Sequence, residues 1–213
     1  MQEFVLSGVL LNLLKEKAIF IPDHRILLIS DLHLGKVNHF RRSGIPVPQK
    51  ANDRNIELLI DLLQQQKPER VIFLGDLFHS HYNAEWEVFG QVLKAFPEIQ
   101  FDLVQGNHDI MSPYQYEKLN IQVHKDQLQL APLLLSHEPL ESQFEGYNLA
   151  GHIHPAVKLQ GAARQSLRLP CFHFGEKQGL MPAFGEFTGA YTIKPKKGDD
   201  VFVIMDDSVV KVG

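Results

Sequence analysis

Residues 26–33, ILLISDLH, are an unbroken run of aliphatic and small side chains that ends abruptly in Asp31 and His33. A short apolar run closed by polar residues reads as a strand buried on both faces. The same pattern returns at residues 18–21, 71–74, 101–104, 133–135 and 147–150. Between these runs, residues 52–66 place Ile56, Leu59, Ile60 and Leu63 at helical spacing, and Pro68 stops the helix. Trp86, Phe89, Leu93 and Phe96 repeat the spacing before Pro97. Strands alternating with helices predict an α/β sheet with helices packed on it.

Beyond Asn120 the pattern changes to short strands and turns. IQVHKDQLQL (121–130) reads as a hairpin, and LLLSHEP (133–139) and DVFVIMDDSVVKVG (200–213) follow it. This predicts a second, more antiparallel sheet. With no Pro/Gly/Ser linker between the halves, two packed sheets within one domain, residues 1–213, are expected. The apolar alternation from Val5 to Leu14 reads as core or sheet edge.

Composition narrows the function. The 213 residues carry 21 Lys and Arg against 25 Asp and Glu, a net charge of -4. No global electrostatic coat for DNA or an anionic membrane exists, so any nucleic-acid contact must be local. A single cysteine, Cys171, forms no intrachain disulfide and fits a reducing compartment, where it reads as a small buried apolar residue. Residues 4–14 lack a basic leader and are interrupted by Ser7, Gly8 and Asn12, unlike a signal peptide. No run approaches the roughly 18 apolar residues of a membrane span. A cytoplasmic protein is expected.

The chemistry lies where the apolar runs stop. They lead into Asp31-Leu32-His33, Gly75-Asp76, Gly106-Asn107-His108-Asp109, Ser136-His137 and Gly151-His152-Ile153-His154. Function collects outside the carboxyl ends of sheet strands, where loops converge. In extended chain, residues two apart point the same way, so Asp31 with His33, and His152 with His154, each present two ligands to one side. Carboxylate, imidazole and amide oxygen together suit Mn, Fe or Zn better than Ca. Asp31, His33, Asp76, Asn107, His137, His152 and His154 are too many for one ion and suit two that share a carboxylate. Such pairs stabilise the attacking and leaving oxygens of a phosphoryl displacement. Gly75, Gly106 and Gly151 let the backbone turn sharply or approach the site closely.

The order D-x-H, G-D, G-N-H-D, H, G-H-x-H over residues 31–154 resembles the calcineurin-like metallophosphoesterase superfamily. The resemblance implies a four-layer α-β-β-α sandwich. It puts Asp31, His33 and His154 on one metal, Asn107, His137 and His152 on the other, and Asp76 between them. His108 resembles the general acid of the family, with Asp109 orienting it. Ser136 departs from the glycine often found before the fourth-block histidine, which puts the shape of that turn in question.

A closer resemblance lies in DLHLGK (31–36), FRRSGIPVP (40–48), GDLFHS (75–80) and LMPAFGEFTG (180–189). These are similar to the ligase-associated DNA damage response endonucleases, the PdeM group. The resemblance implies a manganese-dependent phosphodiesterase or endonuclease acting on single-stranded or damaged DNA. It also implies repair partners: an ATP-dependent DNA ligase, a helicase and an exonuclease.

Other residues carry two readings. Lys36, His39, Arg41 and Arg42 form a basic cluster that would hold substrate phosphates, or a solvated loop. His79 and His81 follow Asp76 closely enough to reach the scissile phosphate, or are structural. His24, His124 and His173 read as structural. Phe172, Phe174, Phe184, Phe187 and Tyr191 could stack on bases, but read more readily as core. The rivals to a DNA endonuclease are a phosphodiesterase of cyclic or bridged nucleotides, a phosphomonoesterase, and a noncatalytic repair scaffold. The lipid-precursor branch of the superfamily typically has Arg at the position of His108.

Overall fold

The computed structural model describes residues 1–35, 50–141, 144–160, 166–186 and 188–212. Its first sheet takes its strands in chain order: β1 (Gln2–Leu6), β2 (Val9–Leu13), β3 (Ala18–Ile21), β4 (Ile26–Ser30), β5 (Arg70–Leu74), β6 (Gln100–Val104) and β7 (Ile121–His124). β1 to β4 form an antiparallel meander, and β4 to β7 run parallel. Parallel neighbours need a crossover. Helices α1 (Lys50–Gln66), α2 (Ala84–Lys94) and α3 (Pro113–Glu117) lie in the three crossovers. At the start of α2 the Asn83 side chain accepts from the Glu85 and Trp86 amides, which would otherwise lack partners.

The second sheet contains, among the described residues, β8 (Gln127–Leu130), β9 (Leu133–Ser136), β10 (Tyr147–Ala150), β11 (Pro155–Gln160), β12 (Ser166–Phe174), β13 (Gln178–Leu180), β14 (Tyr191–Thr192), β15 (Asp200–Ile204) and β16 (Val209–Lys211). Its path is β14-β11-β12-β13-β10-β9-β8, with β15 on β12 and β16 on β15. β10 is parallel to both β9 and β13, so β9 and β10 deliver their carboxyl ends to the same edge.

Side-chain alternation explains the layering. Along β5, Val71 and Phe73 face Leu59, Leu63, Phe89 and Leu93 of the helices. Ile72 and Leu74 point the other way, into a cluster with Leu133, Leu135, Leu149, Phe172 and Phe202 of the second sheet. A strand buried on both faces has no polar alternation to display, which is why these runs read as continuous apolar segments. Each fully buried Leu or Phe contributes about 1.5–3 kcal/mol over leaving it in water. The fold is thus an α/β arrangement of two packed sheets, as expected. The three α-helices among the described residues precede residue 118 and pack on the first sheet. The other face of the second sheet carries, among the described residues, the smaller apolar cluster of Val157, Cys171, Val201 and Val203.

One expected element is corrected. Residues 121–130 are not a hairpin: β7 pairs parallel with β6 in the first sheet, and β8 pairs antiparallel with β9 in the second. The chain changes sheets at Lys125 and Asp126, and the hairpin is β8–β9. Two polar residues between apolar runs look alike whether the chain folds back or crosses over.

Asp102 on β6 is fully buried, and it is satisfied by Arg70, Gln100 and His124. The Arg70 guanidinium donates to both carboxylate oxygens, so three adjacent strands are tied at one residue. Burial alone would raise the Asp102 pKa, but these hydrogen bonds hold it below the usual carboxylate range. His124 is therefore structural, and Phe172, Phe174 and Phe184 are core. No helix among the described residues is long and apolar enough to cross a membrane.

Candidate metal centre

The loops after β4, β5, β6, β9 and β10 meet at one edge of the two sheets. Their backbone differs from the extended conformation expected for D-x-H and H-x-H. Asp31, His33, Asp76, His152 and His154 all have positive φ, between 49° and 63°. The Asp31 and His33 amides donate to the Gly75 and Asp76 carbonyls, which laces the β4 and β5 loops together. Left-handed non-glycine residues are sparsely populated and collect where surrounding structure over-determines them. The pairs still aim inward, by two kinks instead of a pleat.

The side chains converge in two groups. Asp31, His33 and His154 form one, with Asp31 Oδ1 3.1 Å from His154 Nε2 and 3.9 Å from His33 Nε2. In the other, His137 Nε2 lies 3.1 Å from Asn107 Oδ1, 3.1 Å from His152 Nδ1 and 3.4 Å from Asp76 Oδ1. Asp76 spans the groups, its second oxygen 3.6 Å from His33 Nε2.

The chemistry of these atoms tests whether they fit metal ions. His137 Nδ1 is 3.0 Å from the Leu74 carbonyl, and His154 Nδ1 is 2.9 Å from the Gly189 carbonyl. A carbonyl only accepts, so each Nδ1 carries the proton and each Nε2 turns its lone pair inward. Those lone pairs face carboxylate and amide oxygens, acceptor against acceptor, with Asp31, Asp76 and His137 almost wholly buried. Divalent cations between them would relieve that opposition. A set of imidazoles, carboxylates and one amide oxygen fits the cations, and the backbone carbonyls supply the outer hydrogen bonds that orient metal-binding histidines.

Asp31 shows the same balance. Burial would raise its pKa, but His154, His137 and the Ser30 hydroxyl together hold it below the usual range. Ser30 Oγ and the His152 amide both donate to Asp31 Oδ2, leaving Oδ1 for the cluster. Gly75, at φ 75°, has no room for a side chain, because a Cβ there would strike the His137 ring. Ser136 closes its turn in place of glycine: its hydroxyl donates to the Glu138 carbonyl and accepts from Asn148 Nδ2. Asn148, fully buried on β10, also accepts from the Leu140 amide and so pins the loop that carries His137.

His108 sits at the rim, its backbone amide donating to Asp76 Oδ1 at 3.0 Å. Asp109 does not meet the expectation that it orients the His108 ring. Its oxygens accept from the Leu77, Phe78 and Gly106 amides, and no hydrogen bond joins it to the His108 imidazole among the described residues. A buried carboxylate satisfied by three amides locks the β5 loop to the β6 loop. Burial raises its pKa to about 6. The group against the His108 ring is His79, stacked at 3.8 Å. His81 is exposed. Lys36, His39, Arg41, Arg42 and Phe187 lie outside the described residues.

Sequence reasoning missed Ser30, Asn148 and the Leu74 and Gly189 carbonyls. Ser30 was visible as the polar end of an apolar run. The carbonyls have no residue signature at all.

Paired carboxylate and imidazole clusters at the carboxyl ends of strands in two packed sheets define a metal-dependent phosphoesterase. The chain belongs to the calcineurin-like phosphoesterase family, whose model matches residues 24–204. Among solved structures, it is similar to the Pseudomonas putida nuclease MPE, with 31% identity, 99% of each chain covered and a TM-score of 0.81. It also matches the E. coli phosphoesterase YfcE at 17% identity, covering 88% of this chain and 97% of that one, with a TM-score of 0.44. A protein of unknown function from Aquifex aeolicus, AQ665, matches at 21% identity over 61% of this chain and 78% of that one, with a TM-score of 0.43. No curated protein matches the chain.

Proposed function

We propose that this metal-dependent hydrolase is a two-metal-ion phosphodiesterase, a manganese-dependent DNA endonuclease of cytoplasmic repair, in which residues 1–213 form one metallophosphoesterase domain. The observation that carries the reading is the adjacency of the two donor groups, with Asp76 between His33 and His137 and Asp31 within reach of both. Likeness to a protein described as a nuclease supports nucleic acid as the substrate. An ATP-dependent ligase, a helicase and an exonuclease are proposed partners on the resemblance of the sequence motifs.

Asp31, His33 and His154 would hold one cation, Asn107, His137 and His152 the other, and Asp76 both. When bound, such ions stabilise charge on the phosphoryl oxygens and lower the pKa of an attacking water. His108, half-buried at the rim, is the proposed proton donor to the leaving oxygen. His79 braces it by stacking on its ring. Asp109 acts on the reaction only by fixing the loops that bear Asp76 and His108. Lys36, Arg41 and Arg42 are proposed to receive substrate phosphates, each offering donors to the non-bridging oxygens.

Closed circular single-stranded DNA provides the test, because it has no end for an exonuclease to enter. The manganese-loaded protein is expected to linearise it, and His108→Ala to leave it circular. Intact circles beside rapid hydrolysis of a mononucleotide diester would assign the site to small phosphodiesters instead.

A further inference from the structure

We infer that Tyr82, Tyr114 and Tyr191 form a rim around the candidate metal centre that stacks on unpaired bases flanking the scissile phosphate of single-stranded nucleic acid. The inference rests on the phosphodiesterase reading above and names the surface that would select its substrate.

The chain has five tyrosines. Tyr116 and Tyr147 are buried, whereas Tyr82, Tyr114 and Tyr191 are 49%, 65% and 67% exposed. They are the only large aromatic side chains that are exposed among the described residues. Their placement is not scattered. The Tyr191 amide donates to the carbonyl of His154 at 2.9 Å. Tyr82 follows His79 by three residues, so its Cα lies within about 11 Å of it, and Tyr114 follows His108 by six, within about 20 Å. Each tyrosine thus stands in or beside a different loop that supplies the centre, from both sheets. Exposed Ile110 lies between His108 and Tyr114. Single exposed apolar residues are ordinary, and the aliphatic ones here, such as Val88, Leu167 and Met205, are dispersed. The aromatic ones instead follow in sequence, or hydrogen-bond to, the segments that carry His79, His108 and His154.

Stacking would add to the phosphate contacts proposed above, because charge beside the centre supplies little of the grip. Among the described residues, the groove of about 450 Å³ beside Asn107 and His137 is lined by Asp126, Glu138 and Glu141 against Lys125. With a net charge of -4, the chain has little general attraction for a polyanion. Stacking is sequence-tolerant and needs no cation, but it requires bases free of a duplex.

The test separates binding from chemistry. Fluorescence anisotropy of a labelled oligothymidylate is measured with the full chain in EDTA, so that no turnover occurs. Tyr82→Ala, Tyr114→Ala and Tyr191→Ala are each expected to raise the Kd about fivefold or more, and Tyr→Phe to restore it. Val88→Ala, on α2 and outside the ligand-bearing loops, should leave it unchanged. Oligomers with abasic residues should bind the wild type as poorly as they bind the triple alanine variant. An unchanged Kd in the triple variant, or duplex bound as tightly as single strand, overturns the rim. Hydrolysis of bis(p-nitrophenyl) phosphate by the manganese-loaded wild type is scored separately, and its absence would overturn the enzymatic reading whatever the binding result.

Discussion

The imidazoles of His79 and His108 lie face to face, their centroids 3.8 Å apart and their planes 28° from parallel. This contact limits the rotation of His108 where it would meet a leaving oxygen. His79→Ala should therefore lower kcat on DNA, whose alkoxide leaving group needs a proton, by about tenfold or more. Bis(p-nitrophenyl) phosphate expels a stable phenolate and should be affected far less. His79→Phe keeps a flat ring against His108 and should recover most of the loss. Equal losses on both substrates would reduce the stack to a structural role.

Acid should loosen the first sheet through Asp102. Its folded pKa lies below the unfolded value of about 3.9, so its stabilisation is complete above that value. It is lost as pH falls through the folded pKa. Asp102→Asn should remove this part of the acid transition and cost about 3 kcal/mol at neutral pH, because it strands Arg70. Urea midpoints of both proteins across the acid range measure this.

Gly75→Ala should fold yet bind metal poorly. The added methyl requires a strained φ of 75° and displaces the His137 ring. The expected outcome is a lower manganese content by elemental analysis, with the Asn107, His137 and His152 group emptied first. Unaltered stoichiometry would show that the ring has room to move.

Cys171 should be silent in the folded protein. It is fully buried, and burial raises the thiol pKa to about 12. Ellman's reagent is expected to detect no thiol until denaturant is added, and then one per chain. Rapid reaction without denaturant would mean that the second sheet opens along β12.

Local signals carried far in this chain and then stopped at identifiable places. β4, β5 and β10 were legible because strands buried on both faces must be continuously apolar. The seven proposed ligands were legible because their residue types recur at the ends of those strands. The 121–130 segment misled because Lys125 and Asp126 suit a tight turn and a crossing between sheets equally well. Asp109 misled because adjacency to His108 in sequence says nothing of which way its carboxylate points, and three backbone amides claimed it. The inward aim of Asp31 and His154 was foreseen, but its left-handed backbone was not. That backbone depends on hydrogen bonds such as those from Asp31 to Gly75 and from His33 to Asp76, between loops distant in sequence.

Asp31, His33, Asp76 and Asn107 belong to loops of the first sheet, and His137, His152 and His154 to loops of the second. The thickness of the apolar seam between the sheets is therefore a gauge that sets how far apart the two halves of the ligand cage stand. Val104 and Leu135, which fill that seam, coordinate nothing. Shaving either would nonetheless detune metal affinity, as a worn spacer alters the bite of a clamp.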